Sequence, residues 1–525
     1  MVEADDMVGA AGRTPQRDAS LGRLWDGAGA AWKLALVILT CLAVKSLIAW
    51  RFPLLGDEAY FALCGKYLSW GYYDHPPMIA WLLHGVLYVG RSPLLLRFLP
   101  VSLSTAMGAG IYALLRPYGQ QKAYLASVLF MVSPFNLAFF LVSTDTPLFV
   151  FSFLSACFLF KAENERRYVY YLLSGVFLGL AFLSKYFAVL LALSYVVYFL
   201  SVHKDARKIK GFLLLGLGTA PFVTQNAWWN YQNGWPNVMH NWVNRFTSET
   251  NPGLNWLFLG LVLIYLVTPA VIYFLFKNSS RIRRQLQKES FRIFAWACLV
   301  PLCVFVLVSF RKTVMVHWYV SFLPFTFVMV ALLLDAKQIV KSIKFALVLS
   351  FIQVSLVFAA PFAPARMMKG YIDEKELASL VTYMYPQRVL AQLQSYQDSF
   401  QLATKSYSKS ALLEYYGGDR VIVFGKGSSH ARQDDIWTDF KQLDGRNILI
   451  VRMGKVEQSE YRPFFENIRV EDVQIGGAKF SFVFGYGFKY PQYRQTYLVT
   501  ILKAYYQIPP WLPYSRSFFH EKYDF

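Results

Sequence analysis

Long apolar segments, separated by short polar loops, occupy most of the chain up to about residue 362. Several of them approach the roughly 20 residues with which an α-helix crosses a bilayer, and the shorter ones can be extended at their ends. The pattern predicts a polytopic α-helical membrane protein of about 11–13 transmembrane helices, in the segments 32–50, 94–115, 123–142, 147–160, 168–183, 187–201, 211–228, 254–276, 291–310, 314–334 and 343–361. Residues 78–90 are too few to cross comfortably, so they predict a re-entrant or interfacial helix.

A different pattern begins after residue 362. β-Branched and aromatic runs between turns that contain Gly and Asp predict strands, and polar amphipathic stretches predict helices. The strand segments are 421–424, 447–451 and 480–484, and the helix segments are 377–394 and 408–416. The sequence therefore predicts a tail at 1–31, a transmembrane domain at 32–362 and a C-terminal α/β domain at 363–525.

Basic residues are distributed unevenly between the two sets of loops. The chain is 56% hydrophobic, and its formal net charge is +20. Loops on the side of the N-terminal tail hold 18 Lys and Arg residues, whereas the opposite loops hold 7. The positive-inside rule therefore predicts a cytoplasmic N-terminus and places the C-terminal domain on the outer side. The basic loops that reflect membrane topology account for most of the net positive charge. No single basic face that would bind nucleic acid is visible.

The acidic segment Gly56-Asp57-Glu58-Ala59-Tyr60 directly follows the first apolar segment. Carboxylates at a membrane exit are costly unless water, a cation or a reacting ligand solvates them. Asp57, with Glu58 beside it, is therefore a candidate general base. The alternative is structural, with Asp57 as the N-cap of a short helix, and the two roles are compatible.

Two further acidic positions fall on the same outer side. Asp74 and His75 precede two prolines in Tyr72-Tyr73-Asp74-His75-Pro76-Pro77, and a residue before proline is held extended. Asp145 lies in Ser143-Thr144-Asp145-Thr146-Pro147, where it could also cap the next helix. These aspartates did not enter the orientation argument, so their convergence with Asp57 on one face independently indicates a site there.

Cations and aromatic residues complete the outer side. Lys185, the pair Arg311-Lys312 and His317 either anchor the helices at the membrane surface or bind a phosphate. The loop at 229–253 combines Trp and Tyr with amides and continues through His240 to Arg245. Aromatic rings and amides suit a sugar ligand, but Trp and Tyr are also common at any membrane interface.

Together, the segments Asp57-Glu58-Ala59-Tyr60, Tyr72-Tyr73-Asp74-His75-Pro76-Pro77, Ser143-Thr144-Asp145-Thr146-Pro147 and Leu183-Ser184-Lys185-Tyr186 resemble the GT-C fold glycosyltransferases of the protein O-mannosyltransferase and aminoarabinose transferase superfamily. The resemblance covers roughly residues 30 to 360. It is closest to bacterial members that include lipid A and core galacturonosyltransferases.

The resemblance implies an inverting transfer of a sugar from a polyprenyl (undecaprenyl or dodecaprenyl) phosphate carrier. The acceptor would be a glycolipid such as lipid A or the lipopolysaccharide core, on the periplasmic face of a bacterial inner membrane. It implies Asp57, Glu58 and Asp145 as catalytic carboxylates. It implies Asp74 and His75 as substrate-binding residues, and Lys185, Arg311 and Lys312 join them mainly because of topology. The loop and cation patterns add His240, Arg245 and His317 as candidate substrate-binding residues.

The resemblance also implies a metal. Asp74 is the candidate ligand of a divalent ion (Mg, Mn or Zn), because relatives hold a metal or contact the carrier phosphate at this position. The chain departs here from the aminoarabinose branch, which has a glutamate and a lysine in place of Asp74 and His75.

Three other functions fit parts of the sequence. A protein O-glycosyltransferase would use the same donor with a Ser or Thr acceptor. A transporter or flippase for a lipid-linked sugar would need charged residues along a central path and repeated halves. The predicted spans hold few ionisable groups, Lys45 and Arg97 being the clearest, and the halves look dissimilar. A structural scaffold would leave the acidic loop unexplained.

Overall fold

The computed structural model describes residues 27–203, 205–243, 252–280, 288–359 and 371–525. Up to residue 359 the described chain is helical. The principal helices are α1 (Gly27–Arg51), α2 (Gly56–Lys66), α3 (Met78–Val89), α4 (Pro93–Leu115), α5 (Gln120–Met131), α6 (Pro134–Ala138), α7 (Asp145–Glu165), α8 (Tyr168–Ser184), α9 (Ala188–Ser201), α10 (Ala206–Asn233), α11 (Pro252–Val267), α12 (Pro269–Lys277), α13 (Arg292–Ser309), α14 (Leu323–Leu333) and α15 (Ala336–Ala359).

Five described helices are long and apolar enough to cross a membrane, and the bent pair α11–α12 would make a sixth. Apolar side chains remain exposed on these helices, as at Leu307 (68%) and Phe351 (75%), which is the surface that lipid covers. These features confirm a polytopic helical membrane protein. The count of 11–13 stays a prediction, because the remaining apolar helices are shorter or less apolar.

Several predicted spans have different bounds in the structure. The segment 254–276 is two helices that meet at 92°, because Pro269 follows Thr268, whose φ is +72°. The segment 123–142 breaks near Pro134. The predicted loop from residue 229 begins within a helix, since α10 continues to Asn233 and ends at Gly234 in a left-handed conformation.

The C-terminal part is an α/β domain with one mixed sheet of five strands. The strand order is β2-β1-β3-β5-β4; β1 runs parallel to β2 and β3, whereas β5 is antiparallel to β3 and β4. The bounds are β1 (Gln401–Thr404), β2 (Ile422–Val423), β3 (Ile448–Met453), β4 (Phe465–Ile475) and β5 (Ala478–Phe488), with helices α16 (Glu374–Met384), α17 (Pro386–Leu393), α18 (Tyr407–Gly417), α19 (Gln433–Trp437), α20 (Tyr490–Tyr493), α21 (Val499–Tyr505) and α22 (Phe518–Tyr523).

The three predicted strands are present, but β1 and β4 were not predicted, and the helix expected at 377–394 is interrupted before Pro386. β1 has only four residues, too few for a clear pattern. Many side chains of β4 are exposed, which obscures the regular alternation of buried and exposed residues that marks a strand. The boundary placed near residue 362 lies outside the described residues.

The C-terminal domain packs directly on α2. Gly56 lies so close to Ser408 of α18 that a Cβ at Gly56 would overlap the serine backbone. Tyr73 is fully buried in the hydrophobic core of the C-terminal domain, and its backbone N–H donates to the Gln433 side chain at 2.8 Å. The loop that carries Asp74 is therefore held between the membrane helices and this domain.

Candidate active site

Asp57 is the exposed carboxylate at the start of α2. The N-cap of α2 is Leu55, so Asp57 lies in the first helical turn and is not the cap itself. Its Oδ1 accepts a hydrogen bond at 2.7 Å from the hydroxyl of Tyr407, which belongs to the C-terminal domain. A carboxylate here also interacts favourably with the N-terminal end of the helix dipole. Asp57 is thus oriented and remains accessible.

Glu58 points the opposite way and is 1% exposed. Arg97 of α4 donates from Nη2 to Glu58 Oε2 at 2.5 Å and from Nε to Oε1 at 2.9 Å. The backbone N–H groups of Leu55 and Val142 each donate to the same carboxylate at 3.0 Å. With both oxygens engaged, Glu58 links α2, α4 and the loop before Asp145.

Arg97 is itself fully buried and completely engaged. Besides Glu58, its guanidinium donates to the carbonyl groups of Ala49, Phe52 and Pro53 at 2.6–2.8 Å. A buried cation requires such pairing and hydrogen bonding. Arg97, noted in the sequence as an unusual charge within a span, therefore holds together the helices that carry the acidic loop.

Asp74, like Asp57, accepts a hydrogen bond from a tyrosine hydroxyl. The Tyr60 hydroxyl donates to Asp74 Oδ1 at 2.6 Å, and the Tyr60 ring contacts the Tyr407 ring edge-on, with 5.7 Å between centroids. Burial and the Asp74 carboxylate raise the pKa of Tyr60; burial and the Asp57 carboxylate raise the pKa of Tyr407. Both phenols therefore stay protonated donors, and this tyrosine pair joins the two carboxylates.

His75 is 7% exposed and lies among the rings of Tyr60, Phe61 and Tyr72. Its Nε2 is 3.8 Å from Asp74 Oδ1. No group of three or more His, Cys, Asp or Glu side chains within the described ranges is arranged to hold a metal ion. The residues described around Asp74 therefore do not supply a ligand set for the implied metal.

Asp145 and Lys185 form a close ion pair. The Lys185 ammonium lies 2.8 Å and 2.9 Å from the two Asp145 oxygens, and Asp145 is 4% exposed. Asp145 is the first residue of α7, while Lys185 directly follows α8 in extended conformation. Lys185 is the more exposed partner, with 20% of its side chain accessible, whereas its counter-charge Asp145 is buried.

A network of amides connects this ion pair to Asp74. The single hydroxyl proton of Tyr186, next to Lys185, is shared between the side-chain oxygens of Asn237 at 2.5 Å and Asn226 at 2.9 Å. Asn237 then donates to the Tyr73 carbonyl at 3.0 Å, one residue before Asp74. Asn241 donates to the Asp74 carbonyl at 3.4 Å, so two of the amides proposed for sugar contacts, Asn237 and Asn241, position the loop.

The other candidate residues occupy varied positions. His240 is 3% exposed and packs between the rings of Tyr73 and His430. Arg311 and Lys312 follow α13, and Arg311 and His317 are exposed. Arg245 lies outside the described residues.

Known proteins share this architecture. Residues 74–229 match the family model described as dolichyl-phosphate-mannose-protein mannosyltransferase. The crystal structure of ArnT from Cupriavidus metallidurans bound to undecaprenyl phosphate aligns with a TM-score of 0.58 and 16% identity, over 86% of this chain and 98% of that one. Its apo state gives 0.56 and 15%, over 87% and 98%. This chain has the GT-C fold. No curated protein sequence shows significant similarity to it.

Two contacts of this GT-C chain could not be found from the sequence motifs. Tyr60 lies inside the recognised acidic segment, but the motif gave no reason to pair it with Asp74. Tyr407 is 350 positions from Asp57 and lies in the domain for which no function was predicted. The close approach of α2 and α18 at Gly56 explains the contact between Tyr407 and Asp57. A single Gly in the sequence does not reveal which residue will lie against it.

The C-terminal domain of this GT-C chain also places a buried acid near α2. Burial raises the pKa of Asp434 from 3.8 to about 7, although Arg420 at 3.2 Å opposes the shift. Folded protein therefore retains this proton between about pH 4 and 7, where unfolded protein loses it. Stability should fall as pH rises through that window.

We expect the wild-type unfolding temperature to decrease from pH 4.5 to pH 7.5 more steeply than that of Asp434→Asn, measured in the same detergent. Asp373→Asn, at an exposed N-cap, should keep the wild-type slope. Parallel slopes for wild type and Asp434→Asn would contradict the assigned proton.

Proposed function

We propose that this protein is a glycosyltransferase that moves a sugar from a polyprenyl phosphate carrier to a cell-envelope acceptor. The observation that carries the proposal is the pair of tyrosine-bound carboxylates, Asp57 and Asp74, whose loop the amide network connects to the segment of the partly accessible Lys185. The reaction needs a carboxylate at the acceptor and a cation at the departing phosphate. The GT-C fold and the family match at 74–229 support it.

The proposed reaction is a single displacement at the anomeric carbon. The bond from that carbon to the carrier phosphate oxygen breaks, and a bond to the acceptor oxygen forms. Asp57 takes the acceptor proton or stabilises the positive charge that develops. Negative charge grows on the departing phosphate, where a fixed cation such as Lys185 lowers the barrier. Attack opposite the leaving group inverts the anomeric centre, and no step is routed through a metal.

The carboxylates divide into reactive and supporting roles in this scheme. Asp57 is accessible, whereas Glu58 is saturated by Arg97 and two backbone donors. Asp145 contacts the ammonium of Lys185 with both oxygens, so we assign it to holding that cation. Asp74, His75, His240, Arg245 and His317 remain candidate contacts to donor or acceptor.

The proposed acceptor is a glycolipid such as lipid A or the lipopolysaccharide core, with the active site and C-terminal domain in the periplasm of a bacterial inner membrane. The unequal loop charges support this orientation. A deletion strain should lack one sugar on an envelope glycolipid, detected by mass spectrometry of lipids and glycoproteins against the parent. A missing sugar on proteins instead would favour the O-glycosyltransferase function, and unchanged glycans with an accumulated lipid-linked sugar on the inner leaflet would favour a flippase.

Donor recognition by the outer cations gives a separate prediction. If Lys185, Arg311 and Lys312 contact the carrier phosphate, each change to Ala should weaken donor binding by on the order of 1.5–3 kcal/mol, or about tenfold or more. Titration of purified protein with a polyprenyl phosphate measures this. Lys344→Ala, an exposed cation on the opposite predicted face, should bind normally. Unchanged affinity in all three variants would assign these cations to membrane anchoring.

A further inference from the structure

A cavity lined by both apolar and charged side chains lies beside α2, between α3 and α18. Its volume is ≈ 270 Å³. Part of the lining is apolar, from Ala62, Leu63 and Leu87. The polar part consists of Lys66, His84, Tyr88, Arg91, Glu414 and Tyr415.

This cavity is on a different side of α2 from the proposed reaction. Asp57, Tyr60 and Cys64 are spaced by three and four residues, so they share one face of the helix. Ala62 and Lys66, four residues apart, line the cavity from another face of the helix. A ligand in the cavity would therefore not occupy the space in front of Asp57.

Among the described residues, the two cations of the cavity have few close partners. The Arg91 guanidinium has no hydrogen-bond acceptor or carboxylate partner among the residues that the structure describes, although the Arg91 carbonyl accepts from Tyr415. The Lys66 ammonium donates to the Gly418 carbonyl at 3.4 Å and forms only a long ion pair with Glu414, at 3.8 Å. Glu414 is held more closely by Arg420 at 3.1 Å and by the Tyr67 hydroxyl at 3.0 Å.

The surroundings of the cavity are suited to a membrane surface. At the end of α3, Tyr88 is 81% exposed and Val89 is 77% exposed. An amphipathic ring and an apolar side chain in such positions typically lie at the headgroup level of a bilayer. His84 contacts the Gly65 carbonyl through Nδ1 at 2.8 Å, which fixes its ring at the wall of the cavity.

We propose that this cavity binds the phosphate of an anionic lipid headgroup. Arg91 and Lys66 contact the phosphate oxygens, since a guanidinium and an ammonium both form charge-assisted hydrogen bonds with phosphate. Leu63 and Leu87 contact the apolar part of the lipid next to the headgroup. The site is separate from the transfer reaction and does not depend on the chemistry assigned to Asp57.

Binding can be tested with the full chain in nanodiscs. Native mass spectrometry would count retained lipids in discs of phosphatidylcholine alone and in discs that also contain phosphatidylglycerol. Wild type should retain phosphatidylglycerol, and the double variant Lys66→Gln/Arg91→Gln should bind it at least about tenfold more weakly. The control Lys337→Gln/Lys341→Gln removes the same charge from exposed positions on α15 and should retain it.

Three outcomes would overturn the proposal: no preference of wild type for phosphatidylglycerol, equal retention by the double variant and wild type, or equal loss in the control. Competition by millimolar inorganic phosphate would assign the site to a free anion and not to a lipid. Monodisperse elution and an unchanged unfolding temperature confirm that the variants fold, and Arg91→Lys should rescue part of the binding. Asp57→Asn should bind the lipid normally, so failure of this site and failure of the proposed transferase remain distinguishable.

Discussion

Asp57→Asn is expected to lower turnover of sugar transfer by about 10²–10⁴, the usual effect of losing a general base or a charge that stabilises the transition state. Asn has nearly the same shape and keeps an oxygen that can accept from the Tyr407 hydroxyl. Expression, unfolding temperature and donor affinity should therefore stay near wild type. Transfer from a polyprenyl-phosphate sugar by purified protein, with donor and acceptor saturating, measures the change.

A matched control separates chemistry from helix stability. Asp205 is an aspartate at the start of α10, where it accepts the Lys208 backbone N–H at 2.7 Å. Asp205→Asn should transfer sugar at the wild-type rate. Near-normal turnover by Asp57→Asn would remove Asp57 from the reaction, and Asp74, held by Tyr60, would be the next carboxylate to test.

Arg97→Met is expected to give the largest loss of stability. The change leaves the Glu58 carboxylate buried without its cation, and breaking a buried ion pair from one side typically costs about 3–5 kcal/mol. The variant should express poorly or unfold at a clearly lower temperature, measured by fluorescence-detected size exclusion after heating. Arg97→Met/Glu58→Gln should recover part of the loss, because no uncompensated charge remains.

An exposed ion pair provides the control for this prediction. Lys161 and Glu165 are 3.6 Å apart on α7, and their side chains are 47% and 42% exposed. Lys161→Met should change stability by less than about 1 kcal/mol. Equal effects of Arg97→Met and Lys161→Met would show that Arg97 and Glu58 do not hold the helices together.

Local sequence was sufficient to predict a polytopic helical membrane protein and the positions of its acidic segments. Apolar length identifies helices such as α15, and Asp145 was expected beside a helix start marked by Pro147. Strands β3 and β5 were also recognisable from their β-branched and aromatic residues. These features depend on neighbours in the sequence, so their physical causes are visible there.

The roles of adjacent residues could not be separated in the same way. Asp57 and Glu58 are consecutive acids, but neighbours on a helix point about 100° apart. One therefore faces outward and the other meets Arg97, 39 positions away. The motif indicated both as catalytic, whereas burial and the four donors to Glu58 support a structural role for it.

The contact between Arg97 and Glu58 couples the thickness of the bilayer to the proposed active site. Arg97 belongs to α4, one of the helices long enough to span the membrane, and Glu58 fixes the rotation of α2. A helix adjusts its tilt when the hydrocarbon thickness of its bilayer changes. Such a tilt would move Glu58 and turn the neighbouring Asp57 with it. The acyl-chain length of the surrounding lipids would thus change the orientation of the reacting carboxylate.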